Sequence, residues 1–200
     1  MNIRTIILII STCLISACSE TFTDRRPARS GVQLEGIDRM MEVDPEKVLK
    51  ELDSIPRGKL SADDSAYYAL LYTQAMIRCG IPVSSDTLIR TAYDRYGSGD
   101  SSDLRIRSCF YNAMIAYNKG EMPSAMKDAM EAYHLAVEEK SPLWIARSSE
   151  LIGDIFYFVY NYRQAEPYKY EAAANYLIAG KTANHRYALC DLASVYLNED

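Results

Sequence analysis

The sequence predicts an all-α fold made of stacked helix–turn–helix units, and three observations predict it. From Ile37 onward the apolar residues recur at helical spacing and not in alternation. Glycine and proline, 9 and 7 copies in 200 residues, sit mostly at the breaks between those stretches. Small residues return at a fixed interval: Ala113, Gly153 and Ala193 are 40 apart, as are Ala125 and Ala165, and Ala132 and Ala172.

Taken in order, the chain begins Met1-Asn2-Ile3-Arg4, and Arg4 is the only charge before Cys18. An apolar run at residues 6–10 continues through Ser11, Thr12, Cys13, Leu14 and Ile15. A positive start, a short apolar core and small residues after it describe a secretory signal. The run is short for a spanning helix, which needs ~20 residues. It ends Leu14-Ile15-Ser16-Ala17-Cys18, which resembles the lipobox of bacterial lipoproteins. That resemblance implies a signal peptide over residues 1–17, cleavage between Ala17 and Cys18, and a diacylglycerol and acyl chains on Cys18. At ~0.8 kcal/mol per buried CH₂, several chains hold a protein firmly. The expected location is the cell envelope, anchored most readily to the outer membrane and facing the periplasm or the exterior.

Residues 18–36 carry Arg25, Arg26, Pro27, Arg29 and Gly31 without a periodic apolar pattern, and read as a flexible tether. The Arg25-Arg26 pair suits weak contact with anionic headgroups. Residues 37–60 are a helical lead-in. Asp44-Pro45-Glu46 supplies an N-cap and a proline at the first helical position. Val48, Leu49, Leu52 and Ile55 then form one stripe, stopped by Pro56 and Gly58. Ser61-Ala62-Asp63-Asp64 opens a helix through Tyr67, Leu70, Leu71, Ala75 and Met76, ending near Gly80-Ile81-Pro82. Ser84-Ser85-Asp86 caps another, with Leu88, Ile89, Ala92, Tyr93 and Tyr96, and Gly97-Ser98-Gly99-Asp100 is a loop. Segments 107–117, 147–157 and 187–197 then align as one recurring first helix. The units are 61–100, 101–140, 141–180 and a partial 181–200.

With those residues in place the chain resembles the tetratricopeptide repeat family. Ile152-Gly153, Phe156, Ala165 and Ala172 match its pattern of a small residue, an aromatic three positions on, a turn, and alanines seven apart. Ala116 departs from it, although Tyr117 is adjacent, and Ala129 and Lys169 stand where the second helix usually carries an aromatic. The period also exceeds the standard ~34 residues. The resemblance implies a right-handed α-solenoid whose first helices line a concave groove. Lipobox, lead-in and tyrosine-rich repeats together also resemble exported repeat proteins of the Bacteroides group, some of which continue into a membrane helix and a DNA-binding module. The chain stops at Asn198-Glu199-Asp200, after a first helix, so either Leu192 and Tyr196 are left partly uncovered or this is a truncated copy.

Composition restricts the function. The formal net charge of −5 becomes −6 once residues 1–17, which contain Arg4, are removed. An acidic domain without a basic run is a poor match for nucleic acid. Beyond Cys13 and Cys18, three cysteines remain: Cys79, Cys109 and Cys190. They are expected as buried free thiols, or as one bridged pair in an oxidising compartment. His134 and His185 lack a second ligand at helical spacing, so no metal and no other cofactor is expected. Asp63-Asp64 and Glu138-Glu139 are adjacent on helices and read as cap and solvated surface. No phosphate loop, HExxH or GxSxG is present, and no enzyme activity is expected.

The repeat resemblance implies a peptide-binding groove lined by Arg107, Phe110, Met114, Tyr117 and Asn118, then Arg147, Glu150, Asp154 and Tyr157. Aromatic anchors with arginines and carboxylates are common at interfaces. The expected function is a lipid-anchored, non-catalytic scaffold for a protein or peptide. The alternatives are a glycan- or ligand-binding, sensing lipoprotein, and the truncated sensor part of a larger signalling protein. A tight cluster of exposed aromatics favours glycan; an elongated mixed-charge groove favours peptide.

Overall fold

The computed structural model describes residues 34–83, 85–98 and 103–199. The signal, the cleavage site at Ala17 and Cys18, and most of the tether lie outside the described residues. Among the described residues there are nine α-helices, one short 3-10 turn at Arg57–Lys59 and no strand. The helices are α1 (Leu34–Arg39), α2 (Pro45–Asp53), α3 (Ala62–Arg78), α4 (Thr87–Tyr96), α5 (Asp103–Asn118), α6 (Met122–Glu138), α7 (Pro142–Phe158), α8 (Tyr162–Ile178) and α9 (Thr182–Glu199).

The lead-in begins earlier than its sequence pattern indicates. Residues 34–36, assigned to the tether, are already helical, because Leu34, Ile37 and Met41 find a core to enter. They pack with Val48, Leu52, Tyr67, Tyr68, Leu71 and Ala75. The caps follow local chemistry. The Asp44 carboxylate accepts the Lys47 N–H at 3.0 Å, and Ser61 Oγ accepts the Asp64 N–H at 3.1 Å while its hydroxyl donates to Asp64 at 2.8 Å. Asp64 is part of that cap and is buried, and Asp63 binds Arg95 of α4 at 2.6 Å. At the head of α4, Asp86 occupies the N-cap position without a capping bond, and Ser85 Oγ takes the Thr87 N–H at 3.3 Å.

From α5 onward the turns recur at even intervals. Gly120, Lys140, Tyr160 and Gly180, spaced 20 apart, all have positive φ. At each, the N–H of that residue and the next reach back to carbonyls of the last helical turn, as at Gly120 to Tyr117 and Glu121 to Ala116, both 2.9 Å. Glycine reaches this conformation freely at Gly120, φ 79°, whereas Lys140 and Tyr160 adopt it with a side chain at φ 52° and 60°.

Each helix from α5 to α9 packs on its neighbours in sequence, and α5 also touches α3 and α7. The recurring small residues make this close approach possible: Ala113, Ala125, Ala132, Ala165 and Ala172 are fully buried. At Gly153 a Cβ would lie 3.0 Å from the Lys169 stem, so Lys169 of α8 fills the space glycine leaves. Phe110, Tyr111 and Trp144 pack edge-to-face across α5 and α7, with centroids 5.1–6.2 Å apart. The last helix is covered on one side only: Ala188, Leu192 and Val195 are buried, while Leu189, Ala193, Tyr196 and Leu197 are exposed. The cysteines differ from expectation, since only Cys109 is buried; Cys79 is intermediate, Cys190 is exposed, and all three are free. No helix among the described residues is long and apolar enough to cross a membrane.

Candidate functional site

The sequence-predicted groove residues fall on α5 and α7, and the structure treats the two helices differently. On α5, Arg107 is only 4% exposed. Its guanidinium forks onto Asp38, with Nη1 and Nη2 at 2.7 and 2.8 Å from the two carboxylate oxygens. It also donates to Gln74 (3.1 and 2.6 Å) and to Asp103, one turn back on its own helix, at 3.1 Å. Phe110 is 6% exposed and belongs to the aromatic core. These two positions are corrections to the groove as read from sequence. Arg107 is spent on a buried network and Phe110 on packing, so neither is available to a partner. Met114 is partly buried against the same core, Tyr117 is half-buried with its ring 6.1 Å from that of Phe158, and Asn118 is exposed at the end of α5.

On α7, Arg147, Glu150, Asp154 and Tyr157 are all partly exposed and follow one another at helical spacing along one side. The Arg147 end gathers groups from distant parts of the chain. Its guanidinium lies over the Trp144 ring, 4.7 Å from the centroid, and Nη2 donates to both oxygens of Glu42 at 2.9 and 3.1 Å. The same carboxylate takes Arg78 of α3 at 3.3 Å and Lys181, just ahead of α9, at 2.9 Å. Burial pushes the Glu42 carboxyl up, but Arg147, Lys181 and Arg78 outweigh it and hold the group below the usual glutamate range.

The Asp154 end is built from nearer neighbours. The Lys169 ammonium, almost fully buried, contacts Asp154 and also Asp191 of α9 at 3.2 Å. Tyr176 of α8 donates to Glu150 at 2.6 Å. Burial raises both the Glu150 and Asp154 carboxyls above their ordinary values; Tyr176 in the first case and Lys169 in the second offset this only in part. Asp154, Tyr157, Lys169, Asp191 and Ser194 line an open cleft of about 260 Å³. A second cleft of about 210 Å³, between α4, α5 and α6, is lined in part by Arg90, Lys119 and the Tyr93–Asp128–Asn112 hydrogen-bonded set. No sequence signal pointed to it.

The lead-in's part in this face went unread in the sequence. Asp38 on α1 and Glu42 in the turn after it stand four apart in sequence and meet Arg107 and Arg147, which stand 40 apart on α5 and α7. Each half of that pattern is visible alone; their pairing spans 69 and 105 residues. Exposed aromatics gather at the α7–α8 turn, where the Tyr157 and Tyr160 rings lie 5.2 and 6.3 Å from Tyr162 and Phe158 is more than half exposed. The His185 ring nitrogen lies 2.8 Å from the Ala173 carbonyl, and no His, Cys, Asp and Glu grouping able to hold a metal ion occurs among the described residues. No family model matches the chain, and no curated protein and no solved structure is detectably similar to it.

Proposed function

We propose that this protein is a lipid-anchored, non-catalytic scaffold that holds a protein or peptide segment along the face made by α3, α5 and α7. In this reading the helices form a right-handed solenoid of tetratricopeptide-like units about 40 residues long, tethered to the cell envelope through Cys18. One observation carries the binding proposal. The face already holds a peptide segment, the chain's own residues 38–42, through Arg107 and Arg147 at matching positions of consecutive helix pairs. A surface that binds one stretch of chain by paired charges and an aromatic-stacked arginine has the chemistry to bind another. The part left open for a partner is Glu150, Asp154 and Tyr157, with Tyr117 and Asn118 beside it.

The test is a crosslinking pull-down from intact envelope with the unaltered chain and with Tyr117→Ala/Tyr157→Ala. The double variant is expected to lose most of the captured partner with an unchanged helical circular dichroism spectrum; equal capture removes the proposal. Cys18→Ala in the same cells is expected to leave the membrane fraction, and an unchanged partition rules out the lipid anchor. A second reading, binding of glycan, has its own support in the exposed aromatics of the α7–α8 turn. Tyr160→Ala separates the two, because Tyr160 is 80% exposed and lies on the turn and not on the charged line. It weakens oligosaccharide binding under the second reading and leaves peptide capture intact under the first.

A further inference from the structure

We infer that Arg78, Arg147 and Lys181 form a receptor for an acidic side chain of the bound partner, and that Glu42 is the internal stand-in which that side chain displaces. This rests on the peptide-binding reading above and adds the chemistry of recognition to it.

Three cations converge on one carboxylate. They come from α3, α7 and the residue ahead of α9, and they lie 36, 105 and 139 residues from Glu42 in the chain. One negative charge against three positive leaves the group short of acceptors. The hydrogen bonds say the same: Arg147 Nη1 and Arg78 Nε are buried and have no acceptor among the described residues. A buried donor without an acceptor is destabilising, so Glu42 is an incomplete ligand for this set.

The same segment is bound tightly at one end and loosely at the other. Asp38 is bound by the Arg107 fork and by the Tyr67 hydroxyl, and Leu34, Ile37 and Met41 are in the core. That half stays. Glu42 lies beyond α1, in a turn held by backbone bonds from Val43 and Asp44 to the Met40 carbonyl. Its side chain is 32% exposed, and the next residue, Val43, is 83% exposed. Glu42 can therefore swing out without uncovering core. An incoming Asp or Glu then has two arginines and a lysine to meet, with Glu150 one turn further along α7 to disfavour a second carboxylate there.

The probe is a synthetic peptide of residues 36–48, which carries the natural Glu42, and the receptor is the full chain with or without Glu42→Gln. The peptide is expected to bind the Glu42→Gln chain at least tenfold more tightly than the unaltered chain. The same peptide carrying E42Q is expected to lose that gain. Equal affinity for the two chains, or for the two peptides, overturns the inference. If circular dichroism shows that Glu42→Gln has lost helix, Lys181→Gln carries the test instead, since that side chain is about one-third exposed. It is expected to bind the natural peptide at least tenfold less tightly than the unaltered chain, and equal binding overturns the inference. Inorganic phosphate that competes as well as the peptide does would mean a generic anion site and overturns the assignment to an acidic segment. Partner loss in the tyrosine double variant, together with failure here, would leave the scaffold reading standing and remove this one.

Discussion

At the Arg147 end of α7 a carboxylate is kept ionised by cations drawn from three distant parts of the chain. Seven residues along the same helix, at Asp154, burial pushes carboxyls toward protonation beside one buried ammonium. The separations differ as much as the chemistry: 36, 105 and 139 residues at Glu42, but 15 and 22 for the Lys169 contacts. The first end joins the lead-in to the helical array, and the second joins a helix to its immediate neighbours. Charge in the array thus has two uses. It fastens remote segments where cations are in excess, and it fills space between adjacent helices where carboxylates are in excess.

The largest expected effect comes from replacing a buried cation by methionine, once where the lead-in is fastened and once between adjacent helices. Arg107→Met leaves Asp38 with only the Tyr67 hydroxyl and the buried Gln74 without its arginine, and is expected to cost about 3–5 kcal/mol. Lys169→Met removes the buried charge itself, keeps the apolar stem against Gly153, and leaves Asp154 and Asp191 within reach of water. It is expected to fall within about 1 kcal/mol of the parent. Urea unfolding of both variants measures this, and equal losses would break the comparison.

Gly153→Ala comes next. The added methyl meets the Lys169 stem at 3.0 Å on a side of α7 where the neighbour is packed, so a loss of about 1–3 kcal/mol is expected. Gly153→Ala in the Lys169→Ala background restores room and is expected to recover most of that loss. A double variant no better than the sum of the singles would mean that the space is not shared.

The smallest effect is a difference in sign on acidification. The folded Glu42 carboxyl titrates below its unfolded counterpart. Its contribution to stability is therefore complete above the unfolded value and lost as pH falls through the folded one. Glu150 and Asp154 titrate above theirs, so the native state takes up protons first and gains stability as pH falls from the raised values to the unfolded ones. In urea melts across mildly to strongly acid pH, Glu42→Gln is expected to flatten the acid loss, and Glu150→Gln/Asp154→Asn to remove the opposing gain. Both variants moving in the same direction would show that the two ends do not differ.

What was legible in the sequence followed from local chemistry. The caps at Asp44 and Ser61, the turns near Gly80 and Gly120, and the small residues at 40-residue intervals each depend on neighbours a few positions away. Arg147, Glu150, Asp154 and Tyr157 share one side of one helix, and that much is visible in their spacing alone. Arg107 and Phe110 occupy equally regular positions, but what sits on them is decided by α1 and by Trp144, far away in the chain. Leu34 shows the same limit in the lead-in. It looks like tether, because its partners Tyr67 and Leu71 come later and carry no mark of it.

The Glu42–Lys181 contact has a consequence for how the chain folds. Helices that pack only on their sequence neighbours form as soon as each pair is complete, and rapidly, because little chain must be closed. Glu42 instead waits for a lysine 139 residues further on, so the first described segment to be synthesised is among the last to reach all of its contacts. Until then Glu42 meets Arg78 and then Arg147 but lacks its third cation, and closure of that long loop completes the charge cluster that ties the lead-in to the helices after it.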